Sequence, residues 1–103
     1  MKKVFLFSRQ PMTPMQLAAL GTNVTIKQCY RTINSAFEVA DEAADCDILA
    51  IVAPIYLQDQ FLKVANGRPI IMDVSERHLY HTLMEASRMW KKWEQSDKIE
   101  AIA

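Results

Sequence analysis

Glycine is nearly absent from this chain: Gly21 and Gly67 are the two among 103 residues. Loops that cradle phosphates or pyrophosphates need glycine where the backbone comes close to an anion. Neither glycine falls in the first strand-to-helix loop. That argues strongly against a P-loop and against the usual dinucleotide fingerprint. Net charge is absent too: 12 Lys and Arg balance 12 Asp and Glu. Nothing global therefore attracts a polyanion or a membrane surface, and neither duplex nucleic acid nor membrane is expected as a partner. Cysteine is limited to Cys29 and Cys46, without CxxC spacing. They read as buried thiols in a reducing compartment, not as a disulfide framework, a redox pair or metal ligands. No apolar run approaches the ~20 residues of a membrane span. The run Val4-Phe5-Leu6-Phe7 near the start is far too short for the core of a signal peptide. The expected location is the cytoplasm.

What is present is an ordinary globular composition, 50% apolar and 23% charged, consistent with one domain over residues 1–103. The charges are unevenly spread. Residues 36–60 hold Glu38, Asp41, Glu42, Asp45, Asp47 and Asp59 with no Lys or Arg, whereas residues 77–92 hold Arg77, Arg88, Lys91 and Lys92. Two solvated faces of opposite sign is the plain reading. The sharper one is an acidic face that meets the basic face of a second copy.

The patterning alternates strands with helices. Val4 to Phe7 is a short β-branched and aromatic run of the kind buried on both faces of a sheet. Thr13-Pro14-Met15-Gln16 is a helix start, with a capping threonine, proline at the first position and glutamine where a capping box needs it. That helix is expected to bury Met15, Leu17, Ala18 and Leu20 and to stop at Gly21. Residues 24–29 alternate with period two, as a half-buried strand does. Residues 36–44 read as an alanine-rich helix with Phe37, Ala40 and Ala44 on one face. Residues 48–53 are unbroken apolar sequence after Asp47, the mark of a central parallel strand ended by Pro54. A helix over 55–65, closed by Asn66-Gly67, and a strand over 70–74 follow. Beyond Ser75 a helix to about Ser87 and then extended structure is expected. An antiparallel hairpin over residues 88–102 is the alternative ending.

The resulting β-α-β-α-β-α-β order implies right-handed crossovers and a Rossmann-like α/β domain with a mostly parallel sheet of about four strands. Ligands of such sheets sit outside the carboxyl ends of the strands, where the strand order switches. If strands one and three are neighbours, loop 8–13 and loop 53–56 come together, with loop 73–77 nearby. In loop 8–13, Ser8 and Gln10 supply hydrogen bonds and Arg9 a planar fork suited to phosphate. Thr13 opens a helix whose free N–H groups favour anions. A plain strand-to-helix turn with a solvated arginine is the competing reading.

Other candidates carry less. His78 and His81 lie one helical turn apart, with Glu85 beyond, but match no zinc signature; surface histidines are the better reading. Trp90-Lys91-Lys92-Trp93 interleaves aromatics and bases as some nucleic-acid surfaces do, although core or dimer packing of the tryptophans with snorkelling lysines is the better reading. No GxSxG occurs, and no metal or cofactor is called for.

The segments 4–14 (VFLFSRQPMTP), 47–54 (DILAIVAP) and Arg68-Pro69-Ile70 are similar to small proteins of phages, plasmids and CRISPR loci that begin with a strand and an S/T-R-x-P loop. They also resemble the small CARF-type ring nucleases. The resemblance covers about the first three quarters of the chain. It implies a homodimer that binds a cyclic oligoadenylate second messenger across its two-fold axis. It further implies metal-independent cleavage, in which the ribose 2′-hydroxyl attacks the adjacent phosphate and leaves a 2′,3′-cyclic phosphate. On that basis Ser8 would orient the scissile group and Arg9 would stabilise its oxygens. Gln10, Thr13, Pro54, Ile55 and Tyr56 would hold the nucleotide, with Ser75 and Arg77 reaching in from the fourth loop. Two other functions fit the residues: a module that sequesters or senses a nucleotide without cutting it, and a phage-type inhibitor that acts through the acidic stretch 38–47.

Overall fold

The computed structural model describes residues 2–102, with side chains through Met89. The chain forms β1 (Lys2–Phe7), α1 (Pro14–Leu20), β2 (Val24–Cys29), a 3-10 turn (Ala36–Val39) leading into α2 (Ala40–Ala43), β3 (Ile48–Val52), α3 (Ile55–Ala65), β4 (Ile70–Asp73) and α4 (Glu76–Ile102). The four strands make one sheet in the order β2-β1-β3-β4, every pair parallel. This is a Rossmann-like α/β fold, as the alternation of elements predicts. The order runs one way from β1 to β2 and the other way from β1 to β3, so the switch lies between β1 and β3.

Side-chain alternation along the inner strands builds two cores. Phe5, Leu49 and Ile51 face one way and pack with Val39, Ala43, Leu57 and Phe61. Val4, Leu6, Ile48 and Ala50 face the other way and pack with Leu20, Leu79, Tyr80 and Leu83. Burial on both faces explains why β1 and β3 read as unbroken apolar runs. Full burial of a side chain such as Phe5 or Phe61 stabilises the fold by about 1.5–3 kcal/mol.

Three helix expectations need correction. In α1 only Leu20 is buried; Met15 is 84% exposed and Leu17 and Ala18 also face outward. The helix has two turns, and α4, not α1, supplies most of the cover for that sheet face through Leu79, Tyr80 and Leu83. In residues 36–43 the buried set is Ala36, Val39 and Ala43, while Phe37 and Ala44 are exposed. The opening 3-10 turn repeats every three residues, which rotates the buried stripe away from Phe37. Finally, α4 continues as helix to Ile102 where extended structure was expected. No glycine or proline follows Pro69, and the spacing of Leu79, Leu83, Ala86, Trp90 and Trp93 stays helical. The side chains of Trp90, Lys91, Lys92 and Trp93 lie outside the described residues.

Two polar devices sit at the amino end of the sheet. In one, Asp45 pairs with Lys3 and Lys27, and Asp47 accepts the Lys3 N–H at 2.9 Å. At the end of α3, Asn66 adopts a left-handed conformation (φ 48°), a helix stop that asparagine tolerates. Arg68 then turns back: its guanidinium donates to the carbonyls of Ala43, Cys46, Val64 and Ala65. One side chain thus satisfies orphan carbonyls at the ends of both α2 and α3.

Candidate functional site

Four loops leave the carboxyl edge of the sheet. Around the β1/β3 switch they enclose a cleft of about 330 Å3. The β1 loop contributes Ser8 and Arg9, and the segment after β2 contributes Arg31, Thr32 and Ile33. Pro54, Tyr56 and Leu57 come from the start of α3, and Glu76 from the start of α4. Phe7, Cys29 and Val52 form the floor. Phe7 also stacks at a tilt on Phe61, with ring centroids 5.3 Å apart, which ties the floor to the core.

The loop after β1 is held from below by a buried network. Ser8, 3% exposed, places its hydroxyl 2.9 Å from the Tyr80 hydroxyl. Tyr80 donates to the Gln10 carbonyl. The Gln28 amide donates to the carbonyls of Ser8 and Gln10 at 3.2 and 2.9 Å. Burial pushes the Tyr80 phenol above its ordinary pKa, so it stays protonated and able to donate. With its neighbours so anchored, Arg9 extends along the rim, where Nη2 donates to the Thr32 hydroxyl at 2.7 Å. No described carboxylate forms an ion pair with Arg9.

Arg31 is differently placed. It pairs with Glu42 at 2.7 Å and donates to the Glu38 carbonyl at 3.1 Å. The Arg31 guanidinium holds the Glu42 carboxyl below its usual range. Cys29, beneath it, is pushed up by burial and remains a thiol at neutral pH. Much of the acidic stretch is committed within the chain: Glu38 caps the N–H groups of Asn34 and Ser35, Glu42 holds Arg31, and Asp45 holds two lysines.

The helix ends around the cleft differ in kind. The Thr13 hydroxyl accepts from Gln16 N–H and the Gln16 side chain accepts from Thr13 N–H, which closes the end of α1 on itself. The end of α3 has no side-chain cap; Pro54 occupies the cap position. The Leu57 N–H donates to the Pro54 carbonyl at 3.0 Å, which leaves the N–H groups of Ile55 and Tyr56 at the start of the helix, where the dipole favours negative charge.

Of the residues singled out from sequence, Ser8, Arg9, Pro54 and Tyr56 line the cleft. Gln10 takes part through its carbonyl, which fixes the loop. Thr13 is a helix cap. Ile55 is 73% exposed outside the lining, and Ser75 sits in the turn after β4, its N–H donating to Asp73. Arg77 faces a broader, shallower groove between α1 and α4 with Gln16, His78, His81 and Met84. His78 and His81 are exposed, and His81 lies 3.4 Å from Glu85. Among the described residues no three metal-ligating side chains converge, and no described helix is long and apolar enough to cross a membrane.

Sequence reasoning missed Arg31, Thr32 and Glu76. The first two follow β2, which pairs with β1 and so belongs to the same edge. Glu76 directly precedes Arg77 in a loop that the topology had already pointed to. The chain matches no family model, no curated protein and no solved structure.

Proposed function

We propose that this protein binds a phosphorylated nucleotide in the cleft at the β1/β3 switch. The observation that carries the reading is Arg9. Its guanidinium is pre-positioned by Thr32 at the rim of the cleft, beside the uncapped end of α3, and is not neutralised by a described carboxylate. A bidentate fork and free helix N–H groups are together a phosphate site. Tyr56, at the same cleft, supplies an aromatic face for a base.

Cyclic oligoadenylate is the ligand class we favour, because loop 8–13 resembles that of CARF-type ring nucleases. The cleft, at the low end of the about 300–1,000 Å3 of small-molecule sites, has room for one nucleotide unit. A ring would therefore bridge two protomers related by a two-fold axis. Binding without turnover is the reading we favour, since the Ser8 hydroxyl is buried and engaged by Tyr80 and Gln10. Metal-independent cleavage is the second reading. Glu76 favours it, as a carboxylate in the cleft able to take a proton from a 2′-hydroxyl.

Incubation with cyclic tri-, tetra- and hexa-adenylate, followed by chromatography, separates these readings. Recovery of an intact ring with the protein supports binding. Linear products ending in cyclic phosphate, lost in Arg9→Ala, support cleavage. A protein that retains no ring and yields no product overturns both.

A further inference from the structure

We infer that Glu76 makes the cleft selective for ribonucleotides over deoxyribonucleotides. This rests on the nucleotide reading above and names the substrate class of the same site. Arg9 and Glu76 line one cleft of about 330 Å3 without forming an ion pair. Two opposite charges share a small concave space and leave a gap between them. No described residue donates a hydrogen bond to the Glu76 carboxylate, although the side chain is half-buried. A carboxylate only accepts hydrogen bonds, and a partly desolvated one gains most from a hydroxyl or amine donor. The ligand that satisfies both ends carries an anion for Arg9 and a hydroxyl donor for Glu76. A ribonucleotide in a 3′,5′-linked ring has this arrangement: its 3′-oxygen is esterified, so one sugar presents phosphate and the 2′-hydroxyl. The 2′-deoxy counterpart has no sugar hydroxyl left and leaves the carboxylate facing the ligand unpaired.

Placement in the first turn of α4 also gives Glu76 a favourable interaction with the helix dipole. The test therefore reads discrimination and not stability. Calorimetric titration of the full chain with adenosine 3′,5′-bisphosphate and with its 2′-deoxy analogue, neither of which has a free 3′-hydroxyl, gives the ratio of the two affinities. We expect the wild type to favour the ribonucleotide by about tenfold, the range of one charge-assisted hydrogen bond. Glu76→Ala should bring the ratio to about one, whatever the change in absolute affinity from removal of a negative charge. Glu76→Gln, which retains an acceptor oxygen, should keep part of the preference. Equal binding of the two bisphosphates by the wild type overturns this inference alone, as does an undiminished preference in Glu76→Ala. Failure of the wild type to bind either nucleotide overturns the cleft reading and this inference with it.

Discussion

The Tyr80 hydroxyl lies 2.9 Å from the Ser8 hydroxyl and joins residues 72 positions apart in the chain. It ties α4 to the turn that follows β1, and Tyr80 also donates to the Gln10 carbonyl one step further along that turn. The cleft thus depends on an element that is not itself in the loop. Tyr80→Phe keeps the ring's packing against Val4 and Leu6 but removes both hydroxyl contacts. It should lower stability by about 1–2 kcal/mol, measured by denaturant unfolding. Weaker nucleotide binding should accompany it, because the backbone on either side of Arg9 is freed.

Arg68 is the corresponding device on the opposite face. Its four carbonyl contacts at the ends of α2 and α3 cannot be reproduced by one ammonium group. Arg68→Ala should destabilise the chain by at least about 2 kcal/mol, and Arg68→Lys should recover only part of that. Thermal unfolding of the two variants checks the order.

Stability should fall in acid through the amino end of the sheet. Hydrogen bonds from Lys3, then Lys27, hold the Asp45 carboxyl down to about 2, against its ordinary 3.8. Its folded value is below its unfolded one, so its contribution is complete above about pH 4 and disappears as pH falls towards about 2. Asp45→Asn should flatten the melting-temperature profile across that window. Because Asp45 is exposed, added salt should shrink the difference between wild type and variant.

Much of this fold was legible because two inner strands are buried on both faces. Val4 to Phe7 and Ile48 to Ala53 leave no polar position, and with the alternation of strands and helices that pattern points to a parallel sheet; the switch point needed the adjacency of β1 and β3, which the structure supplies. Loop 8–13 was legible as a candidate site from the position of β1 in such a sheet, and its Ser8 and Arg9 line the cleft. What stayed hidden depends on contacts distant in the chain. Nothing near Ser8 announces that its hydroxyl is met by Tyr80, and nothing near Thr32 announces Arg9. The outward turn of Met15 and Leu17 likewise follows from α4, whose Leu79, Tyr80 and Leu83 cover the sheet face on that side.

Arg9→Ala should reduce nucleotide affinity by about 10–100-fold, the loss of one or two charge-assisted hydrogen bonds to phosphate. Arg9→Lys should restore charge but not the fork, and so recover only part of the affinity. Thr32→Val, which removes the hydroxyl that receives Nη2, should cause a smaller loss in the same direction. Equilibrium titration of the three variants ranks them.

The most direct test of the cleft itself is an amide-resolved NMR titration of the isotope-labelled chain with AMP and with cyclic tetra-adenylate. The account predicts shifts gathered at Arg9, at Arg31 to Ile33 and at Ile55 to Leu57, and saturating only at about 10–100-fold higher ligand in Arg9→Ala. Shifts confined to the α1/α4 groove around Gln16, Arg77 and His78, or none with either ligand, would contradict it.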